Sequence, residues 1–142
     1  MPAILQMHNV TVAGAIEDLY DLKSTLGEGQ TAHVLEGICR LDQSRCALKV
    51  FRSSSLRPDP VSCDAVKLEI EILRLLPPHW LLVGLREVVA TPAAVYLVME
   101  LVGGGDLLSP IERRGAFKEA EACRIFAQIC EAVTQMHSVR CC

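Results

Sequence analysis

The chain has 142 residues, 51% of them hydrophobic and 22% charged, with a formal net charge of −3. That length supports one core-bearing domain at most, and that composition excludes wholesale disorder. The acidic balance argues against nucleic acid as a partner, and no apolar run reaches the ~18–20 residues that cross a bilayer.

The seven cysteines include no C-x-x-C pair, and the four histidines show no metal-ligand spacing. No basic-then-apolar leader opens the chain, so the odd cysteine count reads as reduced thiols in a cytoplasmic protein without a metal site.

Residues 1–18 show no clear period and are expected to form a loose leader. Tyr20, Leu22 and Leu26 then begin an alternating stretch that enters the turn Gly27-Glu28-Gly29-Gln30. Residues 31–40 resume as a second strand with Val34 and Ile38, and residues 46–51 read as a third. Residues 53–60, with three serines and two prolines, form a loop. Residues 62–76 are helical by period, and Pro77-Pro78 stops them because proline cannot continue the hydrogen-bond ladder. Residues 80–89 and 94–99 are two further strands divided by Thr91-Pro92. Gly103-Gly104-Gly105 then acts as a hinge, with Asp106 as N-cap of a short helix ending near Gly115. Residues 119–137 form a long amphipathic helix whose stripe is Ala122, Phe126, Ile129, Val133 and Met136. Five strands with one inserted helix, a hinge and then helices make an α+β fold.

One charge sits on the wrong side of the first helix. At 100° per residue, Val66, Leu68, Ile70, Ile72, Leu73, Leu75 and Leu76 fill one wide apolar arc, and Lys67, Glu71 and Arg74 fill the opposite one. Glu69 falls inside the apolar arc, where an unpaired carboxylate is costly and should either neutralise or find a cation. Lys49 is the matching exception, a lysine inside an apolar strand that could face this helix.

Four features follow one another: Gly27-Glu28-Gly29, Ala47-Leu48-Lys49, Glu69, and Tyr96-Leu97-Val98-Met99-Glu100-Leu101-Val102 running into the three glycines and Asp106. In this order they resemble the protein kinase pattern of glycine-rich loop, strand lysine, helix glutamate and hinge. The resemblance covers roughly residues 20–138 and is similar in style to serine/threonine kinases of the calcium/calmodulin-dependent group. It implies a small lobe over residues 19–102, with a five-stranded antiparallel sheet and one helix, and the start of a helical large lobe over residues 103–142.

By the same resemblance the cofactor is ATP. Leu26, Val34 and Ala47 would enclose the adenine, with Met99 as gatekeeper, while Glu100 and Val102 would offer backbone groups to its edge. Gly27, Glu28 and Gly29 would run under the phosphates. Lys49, paired with Glu69, would hold the α- and β-phosphates, and Asp106 would meet the ribose hydroxyls. Leu73 and Leu85 match positions of an internal apolar spine. Two departures stand out: Ala32 replaces the third glycine, and Thr31 replaces the usual aromatic at the loop tip. If position 32 requires a positive φ, alanine there costs about 1 kcal/mol.

The family's His-Arg-Asp motif would follow within about ten residues of His137, and the family's Mg²⁺ ligands come later still. Neither is found before Cys142, so these 142 residues are expected to be inactive alone. A non-catalytic, nucleotide-binding or regulatory module is the alternative. In either case the stripe from Ala122 to Met136 is expected to be exposed and open to a protein partner.

Overall fold

The computed structural model describes residue 4 and residues 6–29, 32–52 and 60–139, with side chains left aside at 60–62. Strand β1 (Val10–Val12) and a 3-10 turn (Ile16–Asp18) come first. They are followed by β2 (Tyr20–Glu28), β3 (His33–Cys39), β4 (Arg45–Arg52) and helix α1 (Pro60–Leu75). Strands β5 (Leu85–Ala90) and β6 (Ala94–Glu100) and helices α2 (Leu108–Arg114) and α3 (Glu119–Ser138) complete the chain.

The six strands make one sheet in the order β1-β5-β6-β4-β3-β2. Every pairing from β2 to β6 is antiparallel, as expected. The sixth strand is a correction: β1 lies parallel to β5, with Val10 opposite Val88 and Val12 opposite Ala90. It belongs to the stretch read as a loose leader, and so does Ile16, which is buried beside Tyr20. Three residues are too few to display a period, so nothing in the local pattern announces the strand.

A second correction concerns the start of β5. Residues 80–82 are turn and bend, and 83–84 are irregular. Leu82 N–H donates to the His79 carbonyl at 3.0 Å, and Trp80 is exposed. The apolar run Trp80-Leu81-Leu82-Val83 has the composition of a strand without its alternation. The hairpins elsewhere follow their turn residues. Asp42 Oδ1 accepts from Ser44 N–H at 2.9 Å between β3 and β4, while the Thr91 hydroxyl and backbone bridge to Ala94 between β5 and β6.

Cross-strand partners share a face of the sheet. One face carries Phe51, Val95, Leu97 and Val88, packed under Val66 and Ile70 of α1. The other carries Cys46, Leu48, Val50, Val89 and Val98, closed by Ile16 and Tyr20. Strand β6 is buried on both faces from Ala94 to Val98, which is why it reads as a continuous apolar run.

The wide apolar arc of α1 is only partly used: Val66 and Ile70 are buried, whereas Leu68 and Leu75 are exposed. Helix α3 has no buried residue. None of the five cysteines among the described residues is disulfide-bonded, and none of the described helices is long and apolar enough to cross a membrane. Of residues 53–60, read as a loop, 53–59 lie outside the described residues, and Pro60 is corrected to the first residue of α1, where its missing N–H leaves no bond unmade.

Candidate functional site

Alternation along β4 puts Ala47, Lys49 and Phe51 on the face that meets α1. From there Lys49 Nζ reaches Glu69 Oε1 at 2.5 Å. The two charges found as exceptions in their own elements are therefore partners. Their side chains are 29% and 33% exposed, so the pair stands at the rim of the core. The buried acid implied by the helical arc is corrected to a paired acid at the edge. Phe51, two residues along, brings its ring centroid to 5.2 Å from Lys49 Nζ. The ammonium thus stands over an aromatic ring as well as at a carboxylate, and the side chain stays partly exposed to solvent.

This arrangement is suited to an anion. An ammonium has three N–H donors, and Glu69 occupies one direction. The carboxylate fixes the position of the head without removing its exposure. A phosphate oxygen arriving from the open side would meet a held point charge.

Register assembles the surroundings. Val34 lies opposite Lys49, and Met99 lies opposite Ala47, so Val34, Ala47, Lys49 and Met99 share one face. Ala47 is nearly fully buried and makes a small, flat floor, while Met99, Leu73 and Leu85 pack partly buried against the cluster beneath α1. Gly27 sits opposite Val34, and a Cβ there would meet nothing within 4 Å, so the space above the strand is open. Gly29 is different. Its N–H donates to the Ala32 carbonyl at 2.9 Å, and a Cβ would come within 3.1 Å of that oxygen. Close backbone approach favours glycine at position 29.

Ala32 has no positive φ, since among the described non-glycine residues only Asn9 and Gln43 do. The strain cost considered for alanine therefore does not arise, and its methyl packs against the α1 cluster. Thr31, the loop-tip residue, and Gln30 lie outside the described residues.

The remaining expected residues stand at the margin. Leu26 is half exposed where the β2–β3 register shifts, and Glu28 is exposed at the end of β2. Glu100 closes β6, its N–H donating to the Gly84 carbonyl at 2.9 Å. Val102 follows it and is exposed. The N-cap position of α2 is Leu107, one residue later than expected and without a side-chain cap, but Asp106 still reaches the first turn: Oδ1 accepts from Ser109 N–H at 2.7 Å and Oδ2 from the Ser109 hydroxyl at 3.0 Å. The backbone donor of Ser109 holds this carboxyl below the usual carboxylate range.

Phe51 is the residue that sequence reasoning passed over. Its position two residues after Lys49, hence on the same face, was the available signal. Among the described residues no group of three or more His, Cys, Asp and Glu side chains could hold a metal ion.

Comparison with known proteins covers most of the chain. The family model described as protein kinase domain matches residues 20–142. Myosin light chain kinase A of Dictyostelium discoideum is 35% identical over 124 residues, which is 87% of this chain and 41% of that protein. Calcium/calmodulin-dependent protein kinase type 1 of Macrobrachium nipponense is 36% identical over 124 residues, covering 87% of this chain and 35% of its own length. The chain thus spans less than half the length of either relative. Among solved structures, the crystal structure of Rad53 1-466 in complex with AMP-PNP aligns with a TM-score of 0.78 at 28% identity. That alignment takes in 87% of this chain and 32% of the Rad53 chain.

Proposed function

The chain belongs to the protein kinase domain family, and on that premise we propose that its Lys49–Glu69 site binds ATP. The observation that carries the reading is the 2.5 Å pair itself, set at the rim of the sheet beside an open glycine turn. Bound ATP would supply a transferable phosphoryl group. The chain's own residues do the holding. Lys49 meets the α- and β-phosphates, and Glu69 keeps its ammonium from swinging away. Val34, Ala47 and Met99 line the adenine side, and the backbones of Glu100 and Val102 read its edge. Leu26 covers that side from β2, while Gly27, Glu28 and Gly29 pass the phosphates. Asp106 keeps lone pairs beyond those given to Ser109, which suits a ribose hydroxyl.

In this reading residues 19–102 form the small lobe and residues 103–142 begin the large one. The complete family acts on protein serine and threonine. Residues 1–142 contain neither His-Arg-Asp nor Asp-Phe-Gly. We therefore propose that they bind nucleotide without transferring phosphate by themselves, in the cytoplasm, where the thiols stay reduced. A regulatory interaction module is the second reading, favoured by one observation: Phe126 and Ile129 of α3 are 67% and 46% exposed.

Thermal unfolding with ATP and Mg²⁺ tests the proposal. A ligand that binds only the folded state at a hundred times its Kd adds about 2.7 kcal/mol of stability. The wild-type Tm is expected to rise, and Lys49→Met to abolish the rise while the variant stays folded. An unchanged wild-type Tm at millimolar ATP overturns the reading.

A further inference from the structure

The described residues before β2 are fastened at both ends. At one end, Ile4 is fully buried in the cluster that contains Val66 and Ile70 of α1, with Met7 and Val10 packed against it. Arg74, near the end of α1, donates from Nη2 to the Asn9 carbonyl at 2.7 Å. Asn9 itself has a φ of 57°, a left-handed turn that aims this carbonyl before the chain straightens into β1. At the other end, β1 pairs with β5, and Ala13 N–H donates to the Ala90 carbonyl at 3.0 Å. Glu87 locks the strand, taking the Thr11 hydroxyl on one carboxylate oxygen at 3.0 Å and the Tyr20 hydroxyl on the other.

The helix held in this way is the one that carries Glu69. Ile70, the next residue, shares Ile4's cluster, and Val66 lies one turn before it. Elsewhere on α1, Cys63 and Leu73 pack against the cluster only partly buried, and Leu68 and Leu75 are exposed. We propose that Ile4 and residues 6–12 are a strut that sets the position of α1 on the sheet and so keeps Glu69 at Lys49, with Ile4 and Arg74 as positioning residues. A helix with two buried side chains can slide or tilt by small amounts at little cost. An isoleucine wedged beside those two, and a guanidinium tied to a strand-bound segment, remove that freedom. The inference uses the Lys49–Glu69 contact alone and holds or fails whether or not the chain binds ATP.

The test is made on the 142-residue chain without ligand, comparing wild type with Ile4→Asn, Ile4→Leu and Arg74→Gln. Hydrogen exchange of the α1 amides and the NMR signal of the Lys49 ammonium are followed together. Loss of the strut should raise exchange over residues 64–75 about tenfold while β3 and β4 amides keep theirs, since local opening is separable from global unfolding. The Lys49 signal should move towards that of the Glu69→Gln variant, and Ile4→Leu should stay near wild type. Arg74→Gln, at an exposed side chain, keeps the test open if Ile4→Asn fails to fold. Unchanged α1 exchange in Arg74→Gln, or a rise spread evenly through the sheet, overturns the proposal.

Discussion

At Lys49 the ammonium is held by Glu69 and stands 5.2 Å from the centroid of the Phe51 ring, on a strand whose neighbouring side chains are buried. Tyr20 gives the opposite arrangement, a neutral group set against a charge. It is buried on the far face and donates to Glu87. Burial, and then the Glu87 carboxylate, push its phenol far above the ordinary value of about 10. The folded state therefore keeps the proton longer than the unfolded chain. The resulting stability is fully present below about pH 10 and is lost as pH rises towards the folded value. Tyr20→Phe removes a hydrogen bond to a charged acceptor and should cost about 1–3 kcal/mol at pH 7. Its urea midpoint should also fall less between pH 9 and 11 than that of wild type. Parallel urea curves across that range would refute this assignment.

Among the elements, β3 and β4 are tied by a glycine with no room to spare. A Cβ at Gly37 would stand 2.7 Å from Leu48 Cδ1 and 3.3 Å from Cys46 Sγ, and both neighbours are fully buried. Gly37→Ala should therefore destabilise the chain by about 1–3 kcal/mol through overpacking, measured by chemical denaturation. Elements of this kind are where the sequence was readable. The hairpins were bounded by turn residues, and α1 was stopped by Pro77-Pro78. Lys49 and Glu69 were visible because each broke a periodic apolar pattern, and two such breaks invite pairing. The strand β1 was hidden because its stability comes from β5, seventy-odd residues away, rather than from its own alternation. Residues 80–84 misled because apolar side chains in a tight turn look like a strand when only composition is counted. The marginal positions, Leu26, Val102 and Asp106, were named through family resemblance, and their local patterns alone carried no ligand signal.

For the whole molecule, the centre of the sheet is covered on both faces, whereas α3 leaves much of its stripe uncovered. It reaches back to the turn after α1, where His79 Nε2 lies 3.5 Å from Glu131 Oε1. Phe126 and Ile129 point away from cover, 67% and 46% exposed. The isolated 142-residue chain should accordingly self-associate, with a sedimentation coefficient that rises with concentration. The double variant Phe126→Ser with Ile129→Ser should sediment as a constant monomer and keep its thermal unfolding. A wild type that is monomeric at every concentration would count against the exposed stripe as an adhesive surface.

The short parallel strand has one more consequence, which concerns the sheet's boundary. Without β1, the backbone donors and acceptors of Val88, Val89 and Ala90 would form an open apolar margin, a ready template for strands of other chains. Three residues, entered by the left-handed Asn9, replace that margin with one too brief to recruit anything. Removing residues 1–12 should therefore turn the sheet into a seed for fibrils, visible as thioflavin-positive growth that the intact chain lacks.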